Sequence, residues 1–351
     1  MNEGSTQFNP GLLTLVRERS GLSQGDLGKV AGMNLKQATI SKYESGIATP
    51  SAEVIEKFAS FFGYLPAFFF QSSELVVDGL VYHRKRASLP SRKRGQIEAE
   101  ARLRALDALY LCRECGIHSD LLPREGRTPL GMANDLRKYW NIPAGPLENV
   151  FNLLEEHGIV ILEFDFKTDL LDGFFMSLSG DVVCLAVNSN PAFPPDRRRF
   201  SVLHELGHAL LSSDMFPGKE AEVEANMFAA EFLAPAEDIR KELNPPINLQ
   251  RLYSLKATWG MSMAAILRRA KDIGRCSDAQ YRRACIFMNS KGFRKKEPLC
   301  GVLDEKCSLL SNMFRTVFHG VKQPWERFYM LRSTFDERYG KILEEDMNKI
   351  T

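Results

Sequence analysis

The chain of 351 residues lacks long hydrophobic runs, a surplus of charge of either sign and an even set of cysteines. No segment approaches the roughly 18 consecutive apolar residues of a membrane-spanning helix, so we expect no membrane partner. The 46 Lys and Arg residues nearly balance 44 Asp and Glu residues, which leaves a net charge of +2. Whole-chain electrostatics therefore do not indicate a nucleic-acid partner, and any such surface has to be local.

The seven cysteines are scattered along the chain, a pattern typical of reduced thiols rather than of a disulfide framework. Cys112 and Cys115 form a lone C-x-x-C, which supplies only half of a tetrahedral metal site. The polar start, Met1–Gln7, lacks the basic-then-apolar order of a secretory signal. The composition, 44% hydrophobic and 26% charged, excludes a disordered chain, so we expect a folded cytoplasmic protein.

Local patterns divide the chain into four parts. Short helical segments with glycine between them fill the start, and a run of basic residues follows at His83–Arg94. That run is either a solvated linker or a source of phosphate contacts. We delimit residues 1–72 as an all-α head, 73–115 as a basic linker and connecting helix, 116–245 as an α+β core, and 246–351 as a helical C-terminal region.

The α+β core has readable elements. The spacing of apolar residues predicts a helix over Pro146–His157, with Gly158 as its stop. A strand is predicted at Ile159–Phe164, and a β-hairpin at Phe174–Leu178 and Val182–Val187. Phe174–Leu178 is either a sheet edge that pairs with an extended peptide or a buried structural strand. A helix from about residue 197 to 212 follows, with Asp196 as its predicted N-cap.

His204-Glu205-Leu206-Gly207-His208 is an H-E-x-x-H motif. Because residues i and i+4 lie on one helical face, His204 and His208 can direct two imidazoles to one zinc ion. Glu205 lies beside them and can accept a proton from a metal-activated water and pass it to the leaving amine. The alternative without a metal is an amphipathic helix in which both histidines have ordinary hydrogen-bond partners and Glu205 faces solvent.

A catalytic zinc needs a third protein ligand, and the following helical segment offers several carboxylates. Glu222 shares a face with small residues that could lie against the first helix, so we choose Glu222 and keep Glu224 as the alternative. A second stripe, Glu220, Glu224 and Glu231, is predicted to be a solvated edge. Asn226 is either a hydrogen-bond partner of a ligand histidine or an ordinary polar residue.

Residues 196–211, followed by 222–235, resemble the ImmA/IrrE family of zinc metallo-endopeptidases. The resemblance covers roughly residues 75 to 300, with Leu233-Ala-Pro235 where the family usually has Leu-Met-Pro. It implies a gluzincin-like α+β peptidase domain whose substrates are repressor proteins. It also implies that His204, His208 and Glu222 bind zinc and that Glu205 is the general base.

The segment Gly21–Gly46 has helix-turn-helix spacing: a first helix capped at Ser23, a turn at 32–35 and a second helix to Gly46. Ser23 and Asp26 resemble a capping box. The second helix is predicted to bury Ile40 and Tyr43 and to expose one polar side, as a helix that enters a DNA major groove does. A helical protein-binding module is the alternative.

Residues 10–70 resemble the XRE (lambda-repressor-like) family, which implies that Gln24, Gln37, Thr39 and Lys42 contact DNA. Arg197–Arg199, beside the predicted metal helix, either binds an acidic or nucleic-acid trigger or pairs with acids of the protein itself.

These patterns predict a multidomain regulator with an all-α DNA-binding head, an α+β zinc peptidase and a helical C-terminal region. The expected partners are a double-stranded DNA operator and a repressor cleaved to release stress or mobile-element genes, with single-stranded DNA as a possible activator and a homodimer as a possible assembly. The alternative is a transcription factor whose peptidase-like domain is a ligand or damage sensor that cleaves nothing. A pure sensor, however, has no need of Glu205.

Overall fold

The computed structural model of the chain describes residues 7–30, 32–72, 89–123, 126–178, 181–211, 218–244, 247–293, 296–298 and 304–347, with side chains to residue 340. Its helices are α1 (Pro10–Arg19), α2 (Gln24–Lys29), α3 (Gln37–Glu44), α4 (Ala52–Phe62), α5 (Ser91–Cys115), α6 (Pro129–Tyr139), α7 (Val150–Glu156), α8 (Pro195–Leu211), α9 (Lys219–Leu233), α10 (Ala236–Ile239), α11 (Leu249–Trp259), α12 (Met263–Asp272), α13 (Asp278–Ser290), α14 (Leu309–Phe318) and α15 (Arg332–Met347). Among the described residues, no helix is both long and apolar enough to cross a membrane.

The three strands β1 (Val160–Phe164), β2 (Gly173–Leu178) and β3 (Val182–Asn188) form one sheet in the order β1-β3-β2. β2 and β3 are the predicted antiparallel hairpin, whose turn residues 179 and 180 lie outside the described residues. β1 pairs with β3 in parallel, so β2 lies at an edge of the sheet. The α+β class predicted for this part of the chain is confirmed.

Two predicted helix starts were wrong, for different physical reasons. α7 begins at Val150 rather than near Pro146, because Asn149 caps it and the buried Glu305 accepts hydrogen bonds from the N–H groups of Val150 and Phe151. α8 begins at Pro195, a favourable first helical residue. Asp196 therefore does not cap it.

Asp196 is instead 3% exposed and accepts a hydrogen bond from Lys256 Nζ at 2.8 Å. Lys256 also contacts Glu297 at 2.9 Å, so one ammonium is shared by the buried carboxylate of Asp196 and the half-buried carboxylate of Glu297. A charged pair buried this way needs both partners, because either one left alone would pay the full desolvation penalty. Asp196 thus ties the start of α8 to α11.

Two apolar cores lie on opposite faces of the sheet. One contains α6, α7, α8, α9, α11 and α12 together with residues such as Ile161 and Leu185. The other joins the head helices α1–α4, the connecting helix α5, the opposite sheet face, α14 and α15. The head therefore shares its core with the rest of the molecule. The start of the basic run, residues 83–88, lies outside the described residues, and residues 91–94 are the first turn of α5.

A buried polar cluster joins the head to the C-terminal helix α15. Arg338 donates hydrogen bonds to Asp107 on α5 and to the hydroxyl of Tyr64, both at 2.8 Å. The Tyr339 hydroxyl also donates to Asp107. Burial raises the pKa of Asp107, against the lowering effect of Arg338 and these hydrogen bonds. We name Tyr64, Asp107, Arg338 and Tyr339 the junction cluster.

The cysteines among the described residues are free thiols. Burial, with a smaller effect of Cys115, raises the pKa of Cys112 to about 12. Cys112 is therefore protonated at neutral pH and offers no thiolate to a metal.

Candidate metal centre and nucleic-acid interface

Close packing of α8 against α9 builds the candidate metal site. The two helices approach each other at Gly207, where an added Cβ would lie 3.0 Å from Phe228 Cδ1 and 3.1 Å from Ala225 Cα. Glu222 lies nearly one turn before Ala225 on α9, and the two histidines flank Gly207 on α8. The absence of a side chain at Gly207 thus allows the Glu222 carboxylate to reach the histidines.

Three side chains meet with their ligand atoms close together. His204 Nε2 and His208 Nε2 are 3.0 Å apart. Glu222 Oε2 lies 3.7 Å from His204 Nε2, and Glu222 Oε1 lies 3.6 Å from His208 Nε2. These residues form a group able to hold a metal ion, with ligand atoms within 4.8 Å of one another. His208 is fully buried, whereas His204 and Glu222 are half-buried, so the group opens to one side.

Glu205 is buried beside this group, at 4% exposure. A Cβ placed on Gly173, the first residue of β2, would lie 3.6 Å from Glu205 Cγ and 2.7 Å from the Ala186 carbonyl oxygen. The Ala186 carbonyl leaves no room for a side chain at this position, and the start of the edge strand lies at ordinary contact distance from the Glu205 side chain. The general-base candidate and the sheet edge belong to one cleft.

The remaining acidic and polar residues of α9 have other contacts. Glu224 is half-buried and is not part of the three-residue group. Asn226 is exposed and donates to the Glu222 carbonyl oxygen at 2.6 Å, so of its two interpretations the structure supports the ordinary polar residue. The prediction that Glu231 lies on a solvated edge was also wrong. Glu231 is 2% exposed and forms an ion pair with Arg269, because α12 covers this side of α9.

The three arginines at the start of α8 pair with acids of the protein itself. Arg197 binds Asp172 through two nitrogens at 2.7 and 2.8 Å. Arg198 pairs with Glu163 and with Asp304, and Arg199 contacts Glu305 at 2.8 Å. Of the two interpretations of these arginines, internal pairing is the one that the structure supports. They attach the metal helix to β1, to the loop before β2 and to the C-terminal region.

The head has the predicted helix-turn-helix geometry. Ser23 and Asp26 form a reciprocal capping box at the start of α2, as the sequence indicated. On α3, Ile40 is buried, Tyr43 is only half-buried, and Gln37 and Lys42 are exposed. Thr39 is half-buried at the margin of the exposed side. α3 therefore presents the polar face expected of a helix that reads base edges.

Gln24 has a partner within the head. Its Nε2 donates to Glu44 Oε2 at 2.9 Å, and Glu44 also forms an ion pair with Arg17. Arg17, Gln24 and Glu44 join α1, α2 and the end of α3, so they fix the angle at which α3 is presented. The side chain of Gln24 is half-buried, which leaves part of it accessible for a phosphate contact.

Two family models match the chain. Residues 154–271 match the peptidase M78 model described as the IrrE N-terminal-like domain, and residues 13–69 match a helix-turn-helix model. The chain joins a domain of each kind. A comparison with curated proteins finds no match. The helix-turn-helix domain supports a DNA-binding regulator, and the IrrE-like domain is metallopeptidase-like, in agreement with the expected fusion.

The IrrE-like domain includes all four residues of the cleft, His204, Glu205, His208 and Glu222. Sequence reasoning missed the two glycines that position them. Gly207 and Gly173 carry no chemistry, and their signal is their small size at points where backbones meet. Gly207 is the second x of the H-E-x-x-H motif, and it faces α9.

Proposed function

We propose that the protein is a DNA-binding regulator whose IrrE-like domain is a zinc-dependent endopeptidase that cleaves a transcriptional repressor. One observation carries the proposal: the Nε2 atoms of His204 and His208 lie 3.0 Å apart, and the two carboxylate oxygens of Glu222 lie 3.7 and 3.6 Å from them, one oxygen near each nitrogen. Ligand atoms about 2.0 to 2.1 Å from a tetrahedral zinc ion lie about 3.3 Å apart. The three side chains thus suit zinc in size and in donor type.

His204, His208 and Glu222 would hold the ion, and three protein ligands leave one position open for water or substrate, as catalytic zinc sites do. When bound, zinc supplies a Lewis acid that activates water and polarises a peptide carbonyl. Glu231 and Arg269 hold the far end of α9 against α12. This anchoring keeps Glu222 in register with the two histidines.

Glu205 is the general base of the proposed reaction. Its carboxylate accepts a proton from the attacking water and delivers it to the nitrogen of the leaving amine, so that no charged amide leaves. The water oxygen first bonds to the carbonyl carbon, and the bond between that carbon and the nitrogen then breaks as the nitrogen receives the proton. Burial of Glu205 beside Gly173 keeps bulk water from competing for the proton.

The edge strand β2 would hold the substrate. β2 is an edge strand of the described sheet, and an edge strand can pair with the main chain of an extended peptide; its first residue, Gly173, lies next to Glu205. A peptide paired there passes the general base and the metal group. A flexible or locally unfolded segment of a repressor meets this requirement, whereas a helix does not.

The helix-turn-helix domain would bring the peptidase to DNA. We propose that Gln37, Thr39 and Lys42 contact a double-stranded operator from α3 and that Gln24 contacts a phosphate. A homodimer on two half-sites fits this mode of binding. Relief of repression at stress or mobile-element genes would follow from cleavage of the repressor, with single-stranded DNA as a candidate activator.

The test is incubation of the zinc-loaded protein with purified repressors encoded beside its gene, with and without single-stranded DNA. Mass spectrometry should identify two fragments that sum to one repressor. Glu205→Gln should bind zinc and DNA as the unchanged protein does and yield no fragments, whereas the matched control Glu224→Gln should cleave normally. Cleavage by Glu205→Gln would remove Glu205 from the mechanism. Intact repressors throughout would favour the non-cleaving sensor.

A further inference from the structure

A cavity of about 1420 Å³ lies at the start of α8. The loop before α8, the first turns of that helix, and α12 and α13 surround it. Its volume exceeds the about 300 to 1,000 Å³ typical of small-molecule sites, so it can take several residues of a peptide. None of the four residues of the proposed reaction lines it.

The cavity begins on the face of α8 that carries the histidines. Phe200 lines it and precedes His204 by four residues, as His204 precedes His208. Residues four apart stack on one helical face, and one turn rises about 5.4 Å. The cavity lining therefore starts about one helical turn from His204, one of the proposed zinc ligands.

A second route connects the cavity to the substrate edge. Arg197 binds Asp172, the residue before β2, and its guanidinium lies 4.3 Å from the ring centre of Phe193. Arg197 and Phe193 both line the cavity. A peptide that leaves the start of β2 thus meets Arg197 and Phe193 and then the cavity.

The lining indicates what the cavity can accept. Phe200, Leu267, Met288 and Phe293 provide apolar walls. The buried Asp196 and the half-buried Glu297 share Lys256, and Arg198 is paired with Glu163 and Asp304. Among the described residues the lining carries four acidic and four basic side chains, so its formal charges sum to zero and offer little to a charged guest, whereas an apolar guest gains from leaving water.

From these observations we infer that the cavity recognises an apolar stretch of the substrate next to the scissile bond. The inference rests on the proposed function. It names the substrate class as peptides with a large apolar side chain on a residue next to the cleaved bond. The C-terminal helices α12 and α13 thereby acquire a role in specificity, because they form one wall of the cavity.

The probes are peptide hydroxamates that bind zinc without being cleaved, identical except for a methyl, isobutyl or carboxyethyl side chain beside the hydroxamate. Calorimetry with the zinc-loaded full chain gives each dissociation constant. Burial of three additional carbon groups should make the isobutyl compound bind about 50-fold more tightly than the methyl compound. The carboxyethyl compound should show no such gain.

Two variants each place one large side chain in the cavity. Ala265→Trp introduces an indole from α12, and Asn289→Trp does so from an exposed position on α13, where folding is not at risk. Both should reduce the isobutyl preference to less than about one tenth of its value and leave the methyl compound unaffected. Ala257→Trp, on the exposed side of α11 and outside the cavity lining, is the matched control and should retain the preference.

The outcomes separate this inference from the proposed function. If the methyl compound binds in a zinc-dependent manner but the isobutyl compound gains nothing, or if Asn289→Trp retains the preference, the cavity assignment is overturned and the zinc site stands. If no hydroxamate binds the zinc-loaded protein, the zinc site fails and the cavity assignment fails with it.

Discussion

Replacement of Gly207 by alanine tests whether helix contact positions the metal group. The added methyl would lie 3.0 Å from Phe228 Cδ1 and 3.1 Å from Ala225 Cα, while ordinary contacts begin near 3.4 Å. The Ala225 contact is with backbone, so it cannot be relieved by a side-chain rotation. α8 and α9 must therefore separate by a few tenths of an ångström.

The size of the effect follows from two opposing terms. Alanine in place of glycine within a helix stabilises by about 1 kcal/mol. Overpacking of a helix interface costs about 1 to 3 kcal/mol, so the net change in Gly207→Ala is a destabilisation of about 0 to 2 kcal/mol. The metal site is more sensitive, because a ligand constellation tolerates displacements of only about 0.5 Å. We expect zinc affinity to fall about tenfold or more.

Competition with a chelating indicator dye measures the zinc affinity, and chemical denaturation measures stability. Gly95→Ala is the control: Gly95 lies within α5, and an added Cβ there meets nothing within 4 Å. Gly95→Ala should retain zinc affinity and gain up to about 1 kcal/mol of stability. If Gly207→Ala behaves in the same way, the close approach of α8 and α9 does not position Glu222, and this reasoning is refuted.

Four further predictions concern single residues. Glu222→Gln should reduce zinc affinity, measured with the same dye, by more than the about 10- to 100-fold typical of residues that only orient a ligand, and Glu224→Gln should not. Gln37→Ala should reduce discrimination between operator and mutated operator by about 1 to 3 kcal/mol in a binding titration; unchanged selectivity would contradict the assignment of α3. Arg338→Met should destabilise the protein by about 3 to 5 kcal/mol in thermal or chemical unfolding, because Asp107 loses its charge partner, whereas the exposed Arg332→Met should change little. The fourth prediction concerns the pKa of Glu100. Burial opposes ionisation of this carboxyl group, but Arg338, Arg104 and Arg19 outweigh burial and lower the pKa of Glu100 to about 2.

Because the pKa of Glu100 is lowered in the folded protein, the ionised Glu100 carboxylate stabilises the fold. The stabilisation is fully present above the ordinary value of 4.5 and is lost as the pH falls towards 2. Glu100→Gln should therefore lose less stability than the unchanged protein between pH 4.5 and 2. Thermal unfolding across that range is the measurement, and parallel curves for the two proteins would contradict the prediction.

Local spacing predicted three side chains that the structure brings together. His204 and His208 follow from the helical repeat, and Glu222 follows from a face of small residues that had to lie against another helix. The same reasoning failed for Glu231, whose partner Arg269 lies on a distant helix. Periodicity shows which residues share a face of one helix, but it does not show which other element covers that face.

The contacts of the C-terminal region could not be predicted from the sequence, for the same physical reason. Glu305 caps α7 from far along the chain, and Arg338 reaches back to Tyr64 in the head. Neither residue belongs to a local pattern, because each is defined by a partner more than a hundred residues away. The cavity is likewise formed by segments that adjoin only after folding.

The shared core of the head, α5 and the C-terminal helices has a consequence for the geometry of action on DNA. With the junction cluster holding α15 to the head, α3 and the cleft keep a constant orientation to each other. Two copies on half-sites about 34 Å apart would point their clefts in directions dictated by helical phase. Insertion of half a helical turn between the half-sites would rotate one cleft to the opposite side of the duplex, so operator spacing itself would govern which bound repressors come within reach.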